Sequence, residues 1–73
     1  MINSIIGGNI RRWRQFKGYQ QAAFAEKIGV TVVTLSKYEN GRCEMPTSML
    51  ITIADALEIC VSKVAATSDA GIN

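Results

Sequence analysis

The sequence contains no histidine, two cysteines and one proline among its 73 residues. Without histidine, a Ser–His or Cys–His catalytic pair cannot form. Two thiols are also too few for the tetrahedral ligand set of a structural zinc ion. The six acidic residues fall on different predicted helix faces, and Gly7-Gly8 lacks the spacing of a phosphate-binding loop. These absences predict a protein that is not an enzyme and has no metal, cofactor or small-molecule ligand.

Long apolar runs are missing as well, because no stretch approaches the roughly 18 residues that a membrane-spanning helix needs. The segment Met1–Ile10 lacks the basic start and continuous apolar stretch of a secretory signal. We therefore expect a cytoplasmic protein with no membrane partner. Cysteines stay reduced in that compartment, and we expect Cys60 to pack in the core.

Charge of one sign is not in large excess, since eight lysines and arginines against six acids give a net charge of +2. That total does not indicate a nucleic-acid partner. The distribution is more informative, because Arg11, Arg12, Arg14 and Lys17 cluster while three acids fall late in the chain. Such a layout attracts phosphate locally, although a run such as Arg11-Arg12 equally fits a solvated helix face.

The apolar residues follow helical periods without an alternating strand pattern, in a chain long enough for one domain. Their spacing predicts a first helix over Ser4–Phe16, a second over Gln21–Ile28 and a fifth over Val61–Ala66. The third helix is expected to begin after the cap Thr31 and to end at Glu39, and the fourth to begin after the cap Thr47. Gly7-Gly8 weaken the first helix, because each costs about 1 kcal/mol relative to alanine. We expect residues 1–66 to form the domain and 67–73 to form a flexible tail.

The stretch QAAFAEKIGVTVVTLSKYEN, residues Gln21–Asn40, is the most informative part of the chain. Two short helices cross closely only where their contact points are small, and Ala25 supplies such a point. Gly29 suits the turn between them, because a left-handed residue is easiest without a Cβ. The inner side of both helices then takes the apolar residues Phe24, Ile28, Val30, Leu35 and Tyr38.

This segment resembles the helix-turn-helix of the phage repressor and Cro family, also called the xenobiotic-response-element family. The similarity extends over about Ile6 to Leu57, with IRRWRQFKG resembling the first helix and MLITIADAL the fourth. Ala25, Gly29, the apolar residues and the ending YENGR coincide at the family's spacing. The resemblance implies an all-α bundle of four or five helices of the lambda-repressor-like type, encoded by a bacterium or phage. It also implies double-stranded DNA as the partner.

The resemblance implies DNA-contacting roles for two sets of side chains. Base contacts in the major groove would come from Val32, Val33, Ser36 and Lys37, and phosphate contacts from Gln21, Thr31, Asn40 and Arg42. Family members often carry polar residues where this chain has Val32 and Val33, so one valine could instead turn inward and complete the core. Thr31 could equally serve only as a helix cap.

The same resemblance pairs Arg14 with Glu39 as a buried or half-buried ion pair between the first and third helices. Its role would be structural, because it would hold the recognition helix against the scaffold. Trp13 takes a position that an aliphatic residue usually holds. We expect it to pack in the core with its indole N–H near the surface.

These features predict a repressor-like transcriptional regulator that binds a near-palindromic operator as a homodimer, with half-sites about 10 bp apart. The dimer surface would include Ile59, Val61 and Val64, unless these residues complete the monomer's own core. The alternative is a protein-interaction module, or an antitoxin-like partner, that keeps the fold with little DNA specificity. The pair Val32-Val33 and the small net charge favour that alternative.

Overall fold

The structure, a computed structural model, describes residues 2–65, and along them the chain forms five helices and no strand. They are α1 (Ile2–Phe16), α2 (Gln21–Ile28), α3 (Val32–Glu39), α4 (Thr47–Leu57) and α5 (Val61–Val64). The expected all-α architecture is confirmed. Helix α1 begins earlier than the predicted Ser4. The predicted end of the fifth helix at Ala66 and the predicted tail, 67–73, lie outside the described residues.

The turn between α2 and α3 forms as its glycine predicts. Gly29 has φ 80° and ψ 29°, a left-handed conformation that residues with a Cβ rarely adopt. Its amide donates to the Glu26 carbonyl at 3.2 Å and so closes the end of α2. Thr31 then caps α3, because its Oγ1 accepts from the backbone amide of Thr34 at 3.1 Å. The two helices are therefore joined by a turn of three residues, 29–31.

The prediction that Thr47 caps α4 is wrong, because Thr47 is already the first helical residue. The N-cap position belongs to Pro46, whose backbone is extended at φ −61° and ψ 150°. The Pro46 carbonyl accepts from the amides of Met49 and Leu50 at 2.9 and 3.1 Å. Proline suits the edge of a helix, since it has no backbone N–H that would need a partner there.

The hydrophobic core lies where all five helices meet. Its buried members are Ile10 of α1, Phe24, Ala25 and Ile28 of α2, Leu35 of α3, Ile53, Ala54 and Leu57 of α4, and Val64 of α5. Ile59 packs against this core, and Val61 is 39% exposed. Of the three residues predicted for a dimer surface, Ile59 and Val64 thus complete the monomer's core.

The prediction that Cys60 packs in the core is wrong, since its side chain is exposed. Cys60 lies at the N-cap of α5, in an extended conformation between Ile59 and the first helical residue. The core side of this short connection is filled by Ile59 and Val64, which leaves Cys60 at the surface. None of the helices within residues 2–65 has the length and apolar character needed to cross a bilayer.

Two glycines lie where α1 and the end of α3 come close together. A Cβ built on Gly7 would lie 2.6 Å from the carbonyl oxygen of Glu39 and would also collide with the Tyr38 carbonyl. Gly41, just beyond α3, would bring a Cβ within 2.7 Å of the Ser4 Cα. Gly7, predicted from sequence only to weaken its helix, therefore allows the backbone of α1 to lie against the end of α3.

Helix α5 is tied to α1 by a buried asparagine. Asn9 Nδ2 donates to the Val64 carbonyl at 2.9 Å, and Asn9 Oδ1 accepts from Arg12 Nη2 at 2.6 Å. The last carbonyls of a helix have no partner within it, and a helix of one turn has few other ways to satisfy them. Asn9 thus fixes the end of α5 on the middle of α1.

The two adjacent glycines of α1 provide a matched test of this packing. We expect Gly7→Ala to lower the free energy of unfolding by about 1–3 kcal/mol or more, because its methyl group meets backbone that cannot rotate away. Gly8→Ala should raise it by up to about 1 kcal/mol, since the nearest atom to its Cβ would be Arg12 Nη1 at 3.9 Å. Urea denaturation followed by circular dichroism measures both. A Gly7→Ala variant as stable as the parent would contradict the close approach.

Candidate nucleic-acid interface

Helices α2 and α3 are held in the domain by the apolar side chains on the side that faces the core, which we call their inner side. The predicted packing residues Phe24, Ala25, Ile28, Leu35 and Tyr38 are buried, Val30 is half-buried, and Gly29 lies exposed in the turn. Phe24 and Leu35 are fully buried, one from each helix, so the two helices share one core. The opposite side of α3 is consequently left without protein cover.

The exposed side of α3 carries the four residues predicted to contact bases. Val32 and Val33 are 42% and 64% exposed, so neither turns inward to complete the core. Lys37 is exposed and Ser36 is half-buried. The face therefore presents aliphatic surface at its start and one positive charge one turn after Val33. Such a mixture suits contact with thymine methyl groups and with hydrogen-bond acceptors of bases.

A buried ion pair holds the end of α3 against α1. Arg14 Nε donates to Glu39 Oε2 at 2.6 Å, and Arg14 Nη2 approaches Glu39 Oε1 at 3.3 Å. The Glu39 side chain is fully buried and that of Arg14 is 9% exposed. Arg14 Nη1 also donates to the Tyr19 carbonyl at 2.8 Å, which ties in the loop before α2. This bidentate geometry is the strongest that arginine forms with a carboxylate.

Gln21, at the first position of α2, joins the same carboxylate. Its Nε2 donates to Glu39 Oε1 at 3.1 Å, and the side chain is half-buried. A side-chain amide nitrogen carries two hydrogens, so this bond leaves one for an external acceptor. The sequence analysis predicted only a phosphate contact for Gln21, and it missed the hydrogen bond from Gln21 to Glu39. No side chain caps this end of α2, because Gln20 at the N-cap makes no such bond.

The threonines at the start of α3 bond to each other. Thr31 Oγ1 accepts from the Thr34 amide, and the two hydroxyl oxygens are 3.0 Å apart, with Thr31 as donor. Thr31 therefore acts as a cap, and its hydroxyl hydrogen is used within the protein. Thr34 Oγ1 accepts in this bond, so its own hydrogen is not used in the contact with Thr31.

Asn40 and Arg42 lie where α3 ends, and their side chains differ in how they are engaged. Asn40 Nδ2 donates to the Ser36 carbonyl at 2.9 Å and to Ser36 Oγ at 3.3 Å. Asn40 Oδ1 accepts from Arg11 Nη2 at 2.8 Å. Arg42 is exposed, and its backbone amide donates to the Lys37 carbonyl at 2.9 Å. Asn40, at the C-cap, is thus bound to α3 and to α1, whereas the guanidinium of Arg42 faces solvent.

Trp13 packs at the edge of the core rather than within it. Its side chain is half-buried, and its ring meets that of Phe16 edge to face, with centroids 5.6 Å apart. Phe16 itself is 77% exposed. Together with Arg12 and Gln15 these rings line a shallow depression on α1.

Comparison with known proteins gives the same architecture. The profile of the Helix-turn-helix family matches residues 10–60. The uncharacterised HTH-type transcriptional regulator YazB of Bacillus subtilis is 37% identical over 66 residues, which cover 89% of this chain and 94% of that protein. The HTH-type regulator y4aM of Sinorhizobium fredii is 38% identical over 58 residues, or 80% of this chain. The chain spans only 41% of the length of y4aM.

Two solved structures have closely similar folds. The clp gene regulator ClgR of Corynebacterium glutamicum superimposes with a TM-score of 0.84 at 30% identity, covering 88% of this chain and 83% of that one. The restriction-modification controller protein C.AhdI of Aeromonas hydrophila gives a TM-score of 0.81 at 22% identity, covering 85% and 90%. The second likeness concerns the fold alone.

The buried carboxylate of α3 predicts a stability effect. We expect Glu39→Ala to lower the free energy of unfolding by about 3–5 kcal/mol, because it strands the Arg14 guanidinium in a buried site. Glu26→Ala, which removes an exposed carboxylate from α2, should change it by less than about 0.5 kcal/mol. Thermal melting of both variants measures the difference. A Glu39→Ala protein that melts like the parent yet fails to bind DNA would refute a structural role for the pair.

Proposed function

The chain belongs to the helix-turn-helix family, and on that premise we propose that it is a transcriptional regulator that recognises specific sequences in double-stranded DNA. The observation that carries this proposal is the division of α3 into two sides. Its inner side is anchored by Leu35, Tyr38 and the buried Glu39, whereas Val33 and Lys37 project from its outer side. A rigidly held helix with a free outer face is what insertion into a major groove requires.

Base recognition is assigned to Val32, Val33, Ser36 and Lys37. Lys37 would donate to O6 or N7 of guanine, and the two valines would contact thymine methyl groups. The ion pair between Arg14 and Glu39 would then contribute indirectly, because it sets the angle at which α3 leaves the scaffold.

Phosphate contacts are assigned chiefly to Gln21 and Arg42. Gln21 keeps one amide hydrogen free and lies at the uncapped N-terminus of α2, where backbone N–H groups favour an anion. Arg42 carries an exposed guanidinium that suits a charge-assisted bond to phosphate. Thr31 and Asn40 would contribute less, because their side-chain hydrogens are bonded within the protein.

The proposed active form is a homodimer on a near-palindromic operator, with half-site centres about 10 bp apart. Of the three aliphatic residues predicted for its surface, Val61 is the exposed one, so the interface is assigned to the face of α5 that carries it. Occupancy of the operator would then repress transcription by excluding polymerase, in the cytoplasm where the chromosome lies.

A protein-interaction module is the second candidate. The exposure of Val32 and Val33, at 42% and 64%, favours it, because two adjacent aliphatic side chains on a free helix face also suit an apolar partner. The two candidates differ in their response to salt. Phosphate contacts release counterions, so DNA affinity falls steeply as salt rises, whereas an apolar interface responds little.

The function is tested by selecting bound duplexes from a random pool and titrating the best of them with salt. We expect one preferred sequence, and an affinity that falls about tenfold or more between roughly 50 and 200 mM salt. Lys37→Ala should flatten the preference at one base position by about 1–3 kcal/mol. Gln21→Ala and Arg42→Ala should weaken all duplexes alike.

Lys27→Ala is the matched control for that experiment, because it removes an equal charge from the exposed surface of α2 at a residue to which no DNA contact is assigned. Its base preference should equal that of the parent. If the parent protein shows no preference among duplexes at low salt, the proposed function is wrong. If Lys37→Ala keeps the parental preference, only the assignment of Lys37 as a base reader is wrong.

The dimer surface is tested at Val61. We expect Val61→Glu to convert dimers to monomers in sedimentation experiments and to weaken binding to a two-half-site operator far more than binding to one half-site. The cause is a charge buried without a partner in an apolar contact. Ile51→Glu, which places the same charge at a 52% exposed aliphatic position of α4, serves as control. Dimers that tolerate Val61→Glu but dissociate with Ile51→Glu would move the interface to α4.

A further inference from the structure

The side chain of Arg11 reaches from α1 to the end of α3. Its Nη2 donates to Asn40 Oδ1 at 2.8 Å, and its Nε lies 3.7 Å from Glu39 Oε1. The side chain is nevertheless 44% exposed. Among the residues that the structure describes, Asn40 is the one that accepts a hydrogen bond from Arg11. Most N–H groups of this guanidinium are therefore left for an external acceptor.

The positive charge of Arg11 exceeds what the buried carboxylate requires. Glu39 is already balanced by Arg14, whose Nε and Nη2 approach its two oxygens at 2.6 and 3.3 Å. Arg14 and Glu39 together carry no net charge, so Arg11 adds one positive charge to the cluster. Because the Arg14 side chain is only 9% exposed, that charge is presented to solvent by Arg11. An exposed charge of this kind attracts a phosphate group.

Glu39 Oε1 also places Arg11 beside Gln21. Gln21 Nε2 donates to this oxygen at 3.1 Å, and Arg11 Nε lies 3.7 Å from it. The two nitrogens are thus separated by no more than the sum of these distances. Gln21 is assigned to a phosphate contact, and consecutive phosphates of one strand follow each other about every 3.4 Å along the duplex axis. A backbone that contacts Gln21 therefore passes within reach of Arg11.

We propose that Arg11 binds the DNA backbone from α1, at the phosphate that Gln21 contacts or at the next one on the same strand. The proposal rests on the proposed function and deepens it. The bond to Asn40 holds the guanidinium in place before DNA binds, so less rotamer freedom is lost than for an unrestrained surface arginine. Its planar fork suits two oxygens of one phosphate.

This contact fixes the protein on the duplex without reading a base, because phosphates carry no sequence information. Arg11 belongs to α1 and bonds to Asn40, the C-cap of α3. A phosphate bound by Arg11 therefore holds the scaffold and the end of α3 against the same strand. The expected signature is a loss of affinity that is equal for all duplexes and is accompanied by a weaker dependence on salt.

The first test compares the salt dependence of binding to the duplex selected from the random pool. We expect Arg11→Gln to weaken binding about tenfold or more at low salt, because a charge-assisted bond is lost. The slope of log affinity against log salt should become shallower by about 0.9, the contribution of one phosphate. Arg11→Lys should restore the slope, since an ammonium group also neutralises a phosphate, but only part of the affinity.

Arg12→Gln is the matched control, because Arg12 is an exposed neighbour on α1 whose guanidinium bonds to Asn9 Oδ1 at 2.6 Å instead. It removes the same charge and should keep the parental slope. Thermal melting of the free proteins tests for a structural role of Arg11. We expect Arg11→Gln to melt within about 8 °C of the parent, since exposed ion pairs contribute little to stability.

The second test locates the contact on the DNA. Each phosphate of the selected duplex is replaced in turn by a neutral methylphosphonate, and affinity is measured for the parent, Arg11→Gln and Gln21→Ala. The phosphate that binds Arg11 should weaken the parent when it is neutralised and should have little further effect on Arg11→Gln. It should be the phosphate that the same comparison identifies for Gln21, or the next one on that strand.

The proposal is overturned if Arg11→Gln keeps the parental slope, or if it shifts base preference without changing the slope. It is also overturned if the phosphate identified for Arg11 lies elsewhere on the duplex from that of Gln21, or if none is identified. Should Arg11→Gln fail to fold, Arg11→Lys decides in the same scan, because it should respond less than the parent to neutralisation of that phosphate. A parent that shows no preference among duplexes would instead sink the proposed function, and this contact with it.

Discussion

The placement of α3 depends on how one buried carboxylate is satisfied. Glu39 lies at the end of α3 with its side chain fully buried, and its oxygens accept from Arg14 and Gln21. A carboxylate removed from water is tolerated only when donors meet it in good geometry. Those donors come from α1 and from the start of α2, so the bonds to Glu39 connect the end of α3 to both of these helices. Removing either Arg14 or Glu39 would leave a buried charge without its partner, so the junction tolerates little change.

The junction at Glu39 also requires the backbones of α1 and the end of α3 to come close together. Gly7 on α1 meets the last carbonyls of α3, and Gly41 beyond α3 meets α1 near Ser4. A side chain at either glycine would push the helices apart and lengthen the bonds to Glu39. The steric constraint and the electrostatic one thus act on the same junction. Val33 and Lys37, on the outer side of α3, take no part in this junction and remain exposed.

Sequence reasoning located the helices, and the family resemblance paired Arg14 with Glu39 as the structure does, but it missed the glycine contacts of the same junction. The helices, the left-handed Gly29 and the Thr31 cap follow from local spacing and propensity, which one chain reveals. Gly7 was interpreted from helix propensity alone, whereas in the structure it lies against backbone more than thirty positions away in the sequence. Cys60 was expected inside because of its residue type, yet Ile59 and Val64 filled that space. Residue type alone does not determine which of several neighbouring side chains is buried in the core.

The hydrogen bonds on the outer face could not be predicted from sequence, although they bear most directly on recognition. Val32 and Val33 offer bases only apolar contact, and the ammonium group of Lys37 can only donate. Ser36 differs from the other three proposed readers, because its hydroxyl accepts one hydrogen bond from Asn40 and keeps both its own hydrogen and a second lone pair. It can therefore donate or accept toward a partner. This contact between Ser36 and Asn40 joins the outer face of α3 to the residue that ends the helix, and spacing in the sequence alone does not reveal it.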